Sequence, residues 1–244
     1  MARKRLVSTL CLAAASVVCL GSRAFAGQTV TMEVTNPGNN ILGGVYVGPY
    51  YATIGSQTNV PIICDDFTDE TYVGSPWSAT ATTVAAGGPT WMSTSLNLSA
   101  AMQAADYAQA AYLAEQLVSP SVACPSKANC TGDIQFAIWN IFDPSTSNGH
   151  GGYLNGPLSY ISGNDLSNSL YWLQQASSLY QKNALSTAQF SNVTVYSPYP
   201  KGPPQEFLRV NTPEAPVLAT LGVDLLLFAV LAFFVRRRMP QSVA

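Results

Sequence analysis

The sequence predicts an α+β fold: a sandwich-like β-sheet lobe built from both ends of one ectodomain, an inserted helical lobe, and a C-terminal transmembrane helix. Three observations lead to this prediction. Both ends of the region 27–211 alternate apolar and polar residues as strands do. The middle of that region has apolar residues at helical spacing. An almost unbroken apolar run occupies residues 217–235.

The first residues of the chain, 1–26, have the three parts of a secretory signal peptide. A basic start at residues 3–5 is followed by an apolar stretch over 6–20. A small-x-small cleavage site then stands at 24–26. We therefore expect the mature chain to begin at Gly27, in a compartment where thiols are oxidised.

Strands are expected near both ends of the ectodomain, because these segments alternate or are rich in Val, Thr, Ile and Tyr. Before the Gly-Gly-Pro break at 87–89, the predicted strands cover residues 28–34, 43–51, 58–64 and 78–84. After the helical region, the chain returns to strand character at 189–196 and 206–210. This order suggests that one sheet lobe is built from both termini.

Three helices are predicted between these strands. The first runs over about 98–117, behind a cap at Asn97 or Ser99. The third runs over 166–182. The second, over 133–142, is apolar nearly all round, so we expect it to be buried between other elements.

The charge of the ectodomain argues against one class of partner. Residues 27–212 contain four basic and eleven acidic side chains, which gives a formal charge of −7. Nucleic-acid binding requires clustered Lys and Arg, so no nucleic-acid partner is expected.

Three cysteines remain after removal of the signal peptide. Cys124 and Cys130 bracket a short loop and are predicted to form a disulfide. Cys64 then has no cysteine partner, at the end of the apolar run 60–64. Gln135 is a candidate partner for its sulfur, because it is an amide near the start of the second helix, which is expected to be buried. It shares a face of that helix with Trp139 at i, i+4. A buried amide without a hydrogen-bond partner costs about 1–3 kcal/mol of stability. Gln135 therefore either hydrogen-bonds another group or has reacted.

Cys64 within Ile-Cys-Asp, the downstream Gln-Phe-Ala-Ile-Trp segment 135–139 and the upstream Gly-Pro-Tyr segment 48–50 resemble the thioester domains of bacterial surface adhesins. This resemblance implies a cross-link between the Cys64 sulfur and the side-chain carbonyl of Gln135, formed with loss of ammonia. It also implies covalent attachment to amine nucleophiles on a surface or matrix partner, as in adhesion or biofilm formation. Catalytic turnover, a cofactor and a metal are not expected.

The C-terminal segment 212–238 has Pro213 and Glu214, then the apolar run 217–235 and three arginines at 236–238. This order of features resembles a PEP-CTERM sorting tail. The resemblance implies recognition by an exosortase, anchoring in the inner membrane, and delivery to the cell surface or extracellular matrix of a Gram-negative bacterium.

Other interpretations of the same residues stay open. Cys64 and Gln135 could simply pack in a noncovalent structural or polysaccharide-binding matrix protein. His150, the only histidine, could serve Cys64 as the base of a hydrolase. The acidic residues between Asp65 and Glu70 could bind Ca²⁺, although a solvated acidic turn is favoured because an EF-hand spacing is missing.

Overall fold

The structure is a computed structural model that describes residues 27–119, 129–143, 156–200 and 202–211. The chain up to Val210 is one compact unit, and Asn211 alone is described from the second. The predicted signal peptide 1–26 and the sorting residues Pro213 and Glu214 lie outside the described residues.

Six strands form one closed barrel in which every neighbouring pair is antiparallel. Their spatial order is β1-β4-β5-β8-β7-β6, and β6 returns to β1. A separate short hairpin consists of β2 and β3. The strands are β1 (Gln28–Asn36), β2 (Ile41–Leu42), β3 (Val45–Tyr46), β4 (Tyr50–Ile54), β5 (Gln57–Cys64), β6 (Trp77–Thr83), β7 (Val193–Pro198) and β8 (Phe207–Val210).

The prediction of a sandwich-like sheet lobe is wrong. A sandwich consists of two sheets, each with unpaired edge strands. Here all six strands pair on both of their sides, so the sheet has no edge strand. Met32 of β1 lies opposite Ile54 of β4 and opposite Trp77 of β6, which closes the sheet on itself. One closed barrel and two facing sheets require the same apolar alternation along each strand, so the pattern could not distinguish them.

The described residues contain four α-helices: α1 (Trp91–Ser95), α2 (Ala100–Val118), α3 (Cys130–Phe142) and α4 (Gly163–Gln181). Of the two caps considered for α2, Ser99 is the one used, because its side chain accepts from the backbone N–H of Met102. Helix α3 packs against both α2 and α4 and also touches β5. Nearly all of its residues are buried, which confirms the expectation from its apolar sequence.

The two faces of β5 contribute to different buried clusters. Val60, Ile62 and Cys64 belong to one cluster, which also contains Phe136 of α3. Ile63 belongs to a second cluster, between the barrel and the helices. The alternation of β5 therefore puts Cys64, as the last residue of the strand, beside the face of α3 that enters the first cluster.

The predicted membrane anchor requires a correction. Across the described ranges, no helix has both the length and the apolar character needed to cross a bilayer. The longest of these helices, α2 and α4, each carry polar and acidic side chains such as Asp106 and Asp165. The apolar run 217–235 lies outside the described residues. The inner-membrane anchor, and the surface localisation derived from it, are therefore not supported by the described structure.

Candidate functional site

The fold brings Cys64 and Gln135 into contact, although they are 71 residues apart in the sequence. Cys64 is the last residue of β5, and Gln135 lies on α3. The side-chain Nε2 of Gln135 donates a hydrogen bond to the backbone oxygen of Cys64 at 2.5 Å. Both residues are completely buried. The carboxamide of Gln135 is thus held at the residue that carries the candidate nucleophile.

The side-chain oxygen of Gln135 is buried without a hydrogen-bond partner. It lies against Gly48, the residue two positions before β4. A Cβ added at residue 48 would be 2.6 Å from this oxygen, which is closer than real Cβ contacts. Glycine is therefore required at this position to leave room for the carboxamide beside Cys64.

The sulfur of Cys64 is a free thiol. It donates a hydrogen bond to the backbone oxygen of Asp66 at 2.9 Å. Burial raises the pKa of the thiol well above its usual value, and the charges of Asp66 and Asp65 raise it further. The Trp139 indole acts in the other direction and lowers the pKa of the thiol, although its N–H makes no hydrogen bond of regular geometry. A thiolate at this position is consequently disfavoured.

Four rings form an aromatic layer beside the Cys64–Gln135 contact: Phe67, Phe136, Trp139 and Tyr160. Phe67 packs against Trp139 with ring centroids 5.0 Å apart, and Phe136 meets Trp139 edge-on at 5.1 Å. Phe136 and Trp139 share a buried cluster with Cys64. Ile63, the residue before Cys64, instead belongs to the cluster between the barrel and the helices.

A buried carboxyl pair, Asp65 and Glu206, lies immediately beyond Cys64 along the chain. The backbone N–H of Asp65 donates to the backbone oxygen of Glu206 at 3.3 Å. Glu206 also accepts side-chain hydrogen bonds from Tyr107 and from Ser197, and one from the backbone N–H of Trp91 at 2.6 Å.

No donor reaches the carboxyl oxygens of Asp65, which are buried. Burial raises the pKa of Asp65 well above its usual value, and the charge of Glu206 raises it further. Burial raises the pKa of Glu206 as well, but its hydrogen bonds from Ser197, Tyr107 and Trp91 oppose that rise. Asp65 has no such bonds, so its neutral form is favoured more strongly than that of Glu206.

The sequence favours a solvated acidic turn at residues 65–70, and this prediction is wrong for Asp65 and Asp66. Asp65 and Asp66 are buried, and Oδ1 of Asp66 accepts hydrogen bonds from Thr68 and from the backbone N–H of Asp69 at 3.1 Å. These bonds close a turn directly after β5. Within the described ranges, no group of three or more His, Cys, Asp or Glu is placed to hold a metal ion.

The remaining sequence-predicted site residues lie at the margin of the described structure. Cys130 begins α3 and is disulfide-bonded. Cys124 lies outside the described residues, so the pairing of these two cysteines stays a prediction. His150, the base of the alternative hydrolase, also lies outside the described residues.

Comparison with known proteins finds no protein family, no curated protein and no solved structure that matches this chain.

Proposed function

We propose that this protein attaches covalently to primary amines through an internal thioester between Cys64 and Gln135. The observation that supports this proposal is the completely buried contact of the Gln135 carboxamide with Cys64, beside an aromatic layer. A thioester is an activated acyl group that water opens, so it persists only where water is excluded. The partner is a surface or matrix molecule that carries accessible amines.

Formation of the thioester needs no external reagent. The Cys64 sulfur attacks the side-chain carbonyl carbon of Gln135, and a carbon–sulfur bond forms. The carbon–nitrogen bond then breaks, and the amide nitrogen leaves as ammonia with the thiol proton. Confinement of both groups in one buried contact raises the effective concentration of the nucleophile.

Attachment breaks the carbon–sulfur bond and forms a new carbon–nitrogen bond. The nitrogen of an incoming amine attacks the thioester carbonyl, the carbon–sulfur bond breaks, and a proton from the amine goes to sulfur. The product is a secondary amide, which is a far less activated acyl group than a thioester. The attached amine therefore stays bound to Gln135.

Intact-mass measurement of the purified protein tests the proposal. We expect a deficit of one ammonia relative to the sequence mass, and addition of one methylamine after incubation with that amine. Cys64→Ala and Gln135→Ala each abolish both changes. Gln109→Ala, on α2 and hydrogen-bonded to the backbone of Ala105, is the matched glutamine control and changes neither. An ordinary mass, with Cys64 alkylated completely after denaturation, contradicts the thioester.

A noncovalent structural or polysaccharide-binding role is the second candidate, and one observation favours it. The Cys64 thiol donates to the Asp66 backbone and the Gln135 Nε2 donates to the Cys64 backbone, so both donors have partners without any reaction. This candidate predicts an ordinary mass and no adduct with methylamine, so the same measurement separates the two functions.

A further inference from the structure

We propose that an acidic aromatic groove beside Cys64 is the docking site of the attacking amine, and that Asp69 and Glu70 make it selective for an ammonium on an aliphatic stem, the chemistry of a lysine side chain. This inference rests on the proposed function and adds the substrate class and the residues that select it.

The groove has a volume of about 610 Å³. Its aromatic walls come from the hairpin, β4, the segment after β5, α3, the short helix Pro157–Tyr160 and β8. The rings that line it are Tyr46, Tyr50, Phe67, Tyr72, Trp139, Tyr160 and Phe207. This space can hold an extended side chain together with part of the backbone that carries it.

Two of these walls lie between the groove and the candidate thioester. Trp139 and Phe207 line the groove and belong to the same buried cluster as Cys64. Tyr50 packs edge-on against Phe207, and Phe207 lies opposite Cys64 in the pairing of β5 with β8. Neither Cys64 nor Gln135 lines the groove, so these side chains are the layer that separates it from the candidate thioester.

The charged side chains that line the groove are all acidic. Its described lining contains Asp69 and Glu70 and no lysine, arginine or histidine. Asp69 accepts a hydrogen bond from the Trp91 indole at 2.9 Å, and Glu70 accepts one from the Tyr72 hydroxyl at 2.7 Å. Each carboxylate is thus fixed in position by one of its oxygens. Asp66 fixes the same turn, because it accepts the backbone N–H of Asp69.

This combination of groups suits a cationic amine better than a neutral nucleophile. Carboxylates at a cleft concentrate cations from solution, and aromatic faces attract an ammonium while they pack against its methylene stem. The bound ammonium gives one proton to solvent at the open side of the groove. The neutral amine then attacks the thioester, and a second proton goes to the Cys64 sulfur as the carbon–sulfur bond breaks.

The double variant Asp69→Asn/Glu70→Gln tests the selectivity. Both substitutions remove charge but keep an oxygen that can accept from Trp91 and Tyr72. Second-order rate constants of adduct formation are measured by intact mass with two probes: the cationic Nα-acetyl-lysine methylamide, and hydroxylamine, which is uncharged at neutral pH. Glu33→Gln/Glu115→Gln is the charge-matched control, since neither residue lines the groove.

We expect the double variant to react about tenfold more slowly with the lysine probe at low salt, with a smaller difference at high salt. We expect the rate with hydroxylamine, and both rates of the control, to stay unchanged. An unchanged lysine rate, or an equal loss with both probes, overturns the selectivity while the thioester stands. Absence of any adduct in the unmodified protein, together with an ordinary mass, overturns the thioester and the groove assignment with it.

Discussion

The side-chain oxygen of Gln135 lies so close to Gly48 that a Cβ at residue 48 would be 2.6 Å away. The substitution Gly48→Ala should therefore displace the carboxamide from Cys64. We expect the ammonia deficit to be lost or reduced, and overpacking to lower the free energy of unfolding by about 1–3 kcal/mol. Intact mass and urea unfolding measure the two effects.

A second buried glycine provides the matched control for this substitution. A Cβ at Gly132 would meet the side-chain Cδ2 of Leu42 at 2.8 Å, and it would not meet Gln135. Gly132→Ala should thus lower stability but leave the ammonia deficit intact. Loss of the deficit in both variants would show that general loosening, rather than the position of the carboxamide, controls the reaction.

Opening of the thioester should destabilise the protein. The bond would join residues 71 apart, and closure of a loop of this length is worth about 4 kcal/mol in the chain-entropy model. We expect methylamine treatment to lower the free energy of unfolding by up to this amount in urea titrations. Cys64→Ala should have the lower stability from the start and should not respond to methylamine. Equal stability of treated and untreated protein would contradict a closed cross-link.

The aromatic layer should control access of water to the thioester. Phe67 is half-buried and contacts Trp139, Phe136 and Tyr160. Phe67→Leu removes the ring from this layer, and the lost aromatic pairing costs about 1 kcal/mol. We expect faster spontaneous hydrolysis, measured as gain of one water in the intact mass over time. Phe190→Leu, in the cluster between barrel and helices, should not change the hydrolysis rate.

The buried carboxyl pair should make stability fall as pH rises. The pKa of Asp65 is raised by burial and by Glu206, so the folded protein holds this proton more tightly than the unfolded chain. Its contribution is fully present below the unfolded pKa of about 4 and is lost as pH rises through the raised folded pKa. Each pH unit in that window costs up to about 1.4 kcal/mol of unfolding free energy.

Asp65→Asn should flatten this pH dependence, because the amide keeps the neutral form at every pH and can donate to Glu206. Urea unfolding at several pH values above 4 measures the slope. Tyr107→Phe provides the complementary test, since it removes a donor to Glu206 and should cost about 1–3 kcal/mol. A slope that is identical in Asp65→Asn and in the unmodified protein would show that the pair does not share its proton.

The sequence predicts individual elements of this fold better than their arrangement. Helix α4 was expected over 166–182 and occupies Gly163–Gln181, and β5 was expected over 58–64 and occupies Gln57–Cys64. Closure of the barrel depends on pairs such as Met32 with Trp77, which nothing in the local alternation specifies. Helix α1, with only five residues, is too short to produce a periodic pattern.

The sequence likewise predicts some residues of the candidate site and misses others. The cysteine count indicates Cys64, and the apolar second helix indicates Gln135 as a buried amide. The structure places these two residues in contact. Glu206 was missed because it is the first residue of a short predicted strand, 206–210, and looks like any surface acid in the sequence. Its burial becomes visible only when Tyr107, Trp91 and Ser197 converge on it from three different elements. The groove likewise depends on tertiary contacts between separate loops.

The placement of Gln135 on α3, rather than on a strand, decides where tension from a bonded partner would enter the molecule. Pulling on a barrel strand from its end can unzip hydrogen bonds one after another. A force on Gln135 would instead have to shear α3 out from between α2 and α4, so that many apolar side chains leave the core at once. A force on Gln135 would therefore load the packing of α3 before it loads the hydrogen bonds of the barrel.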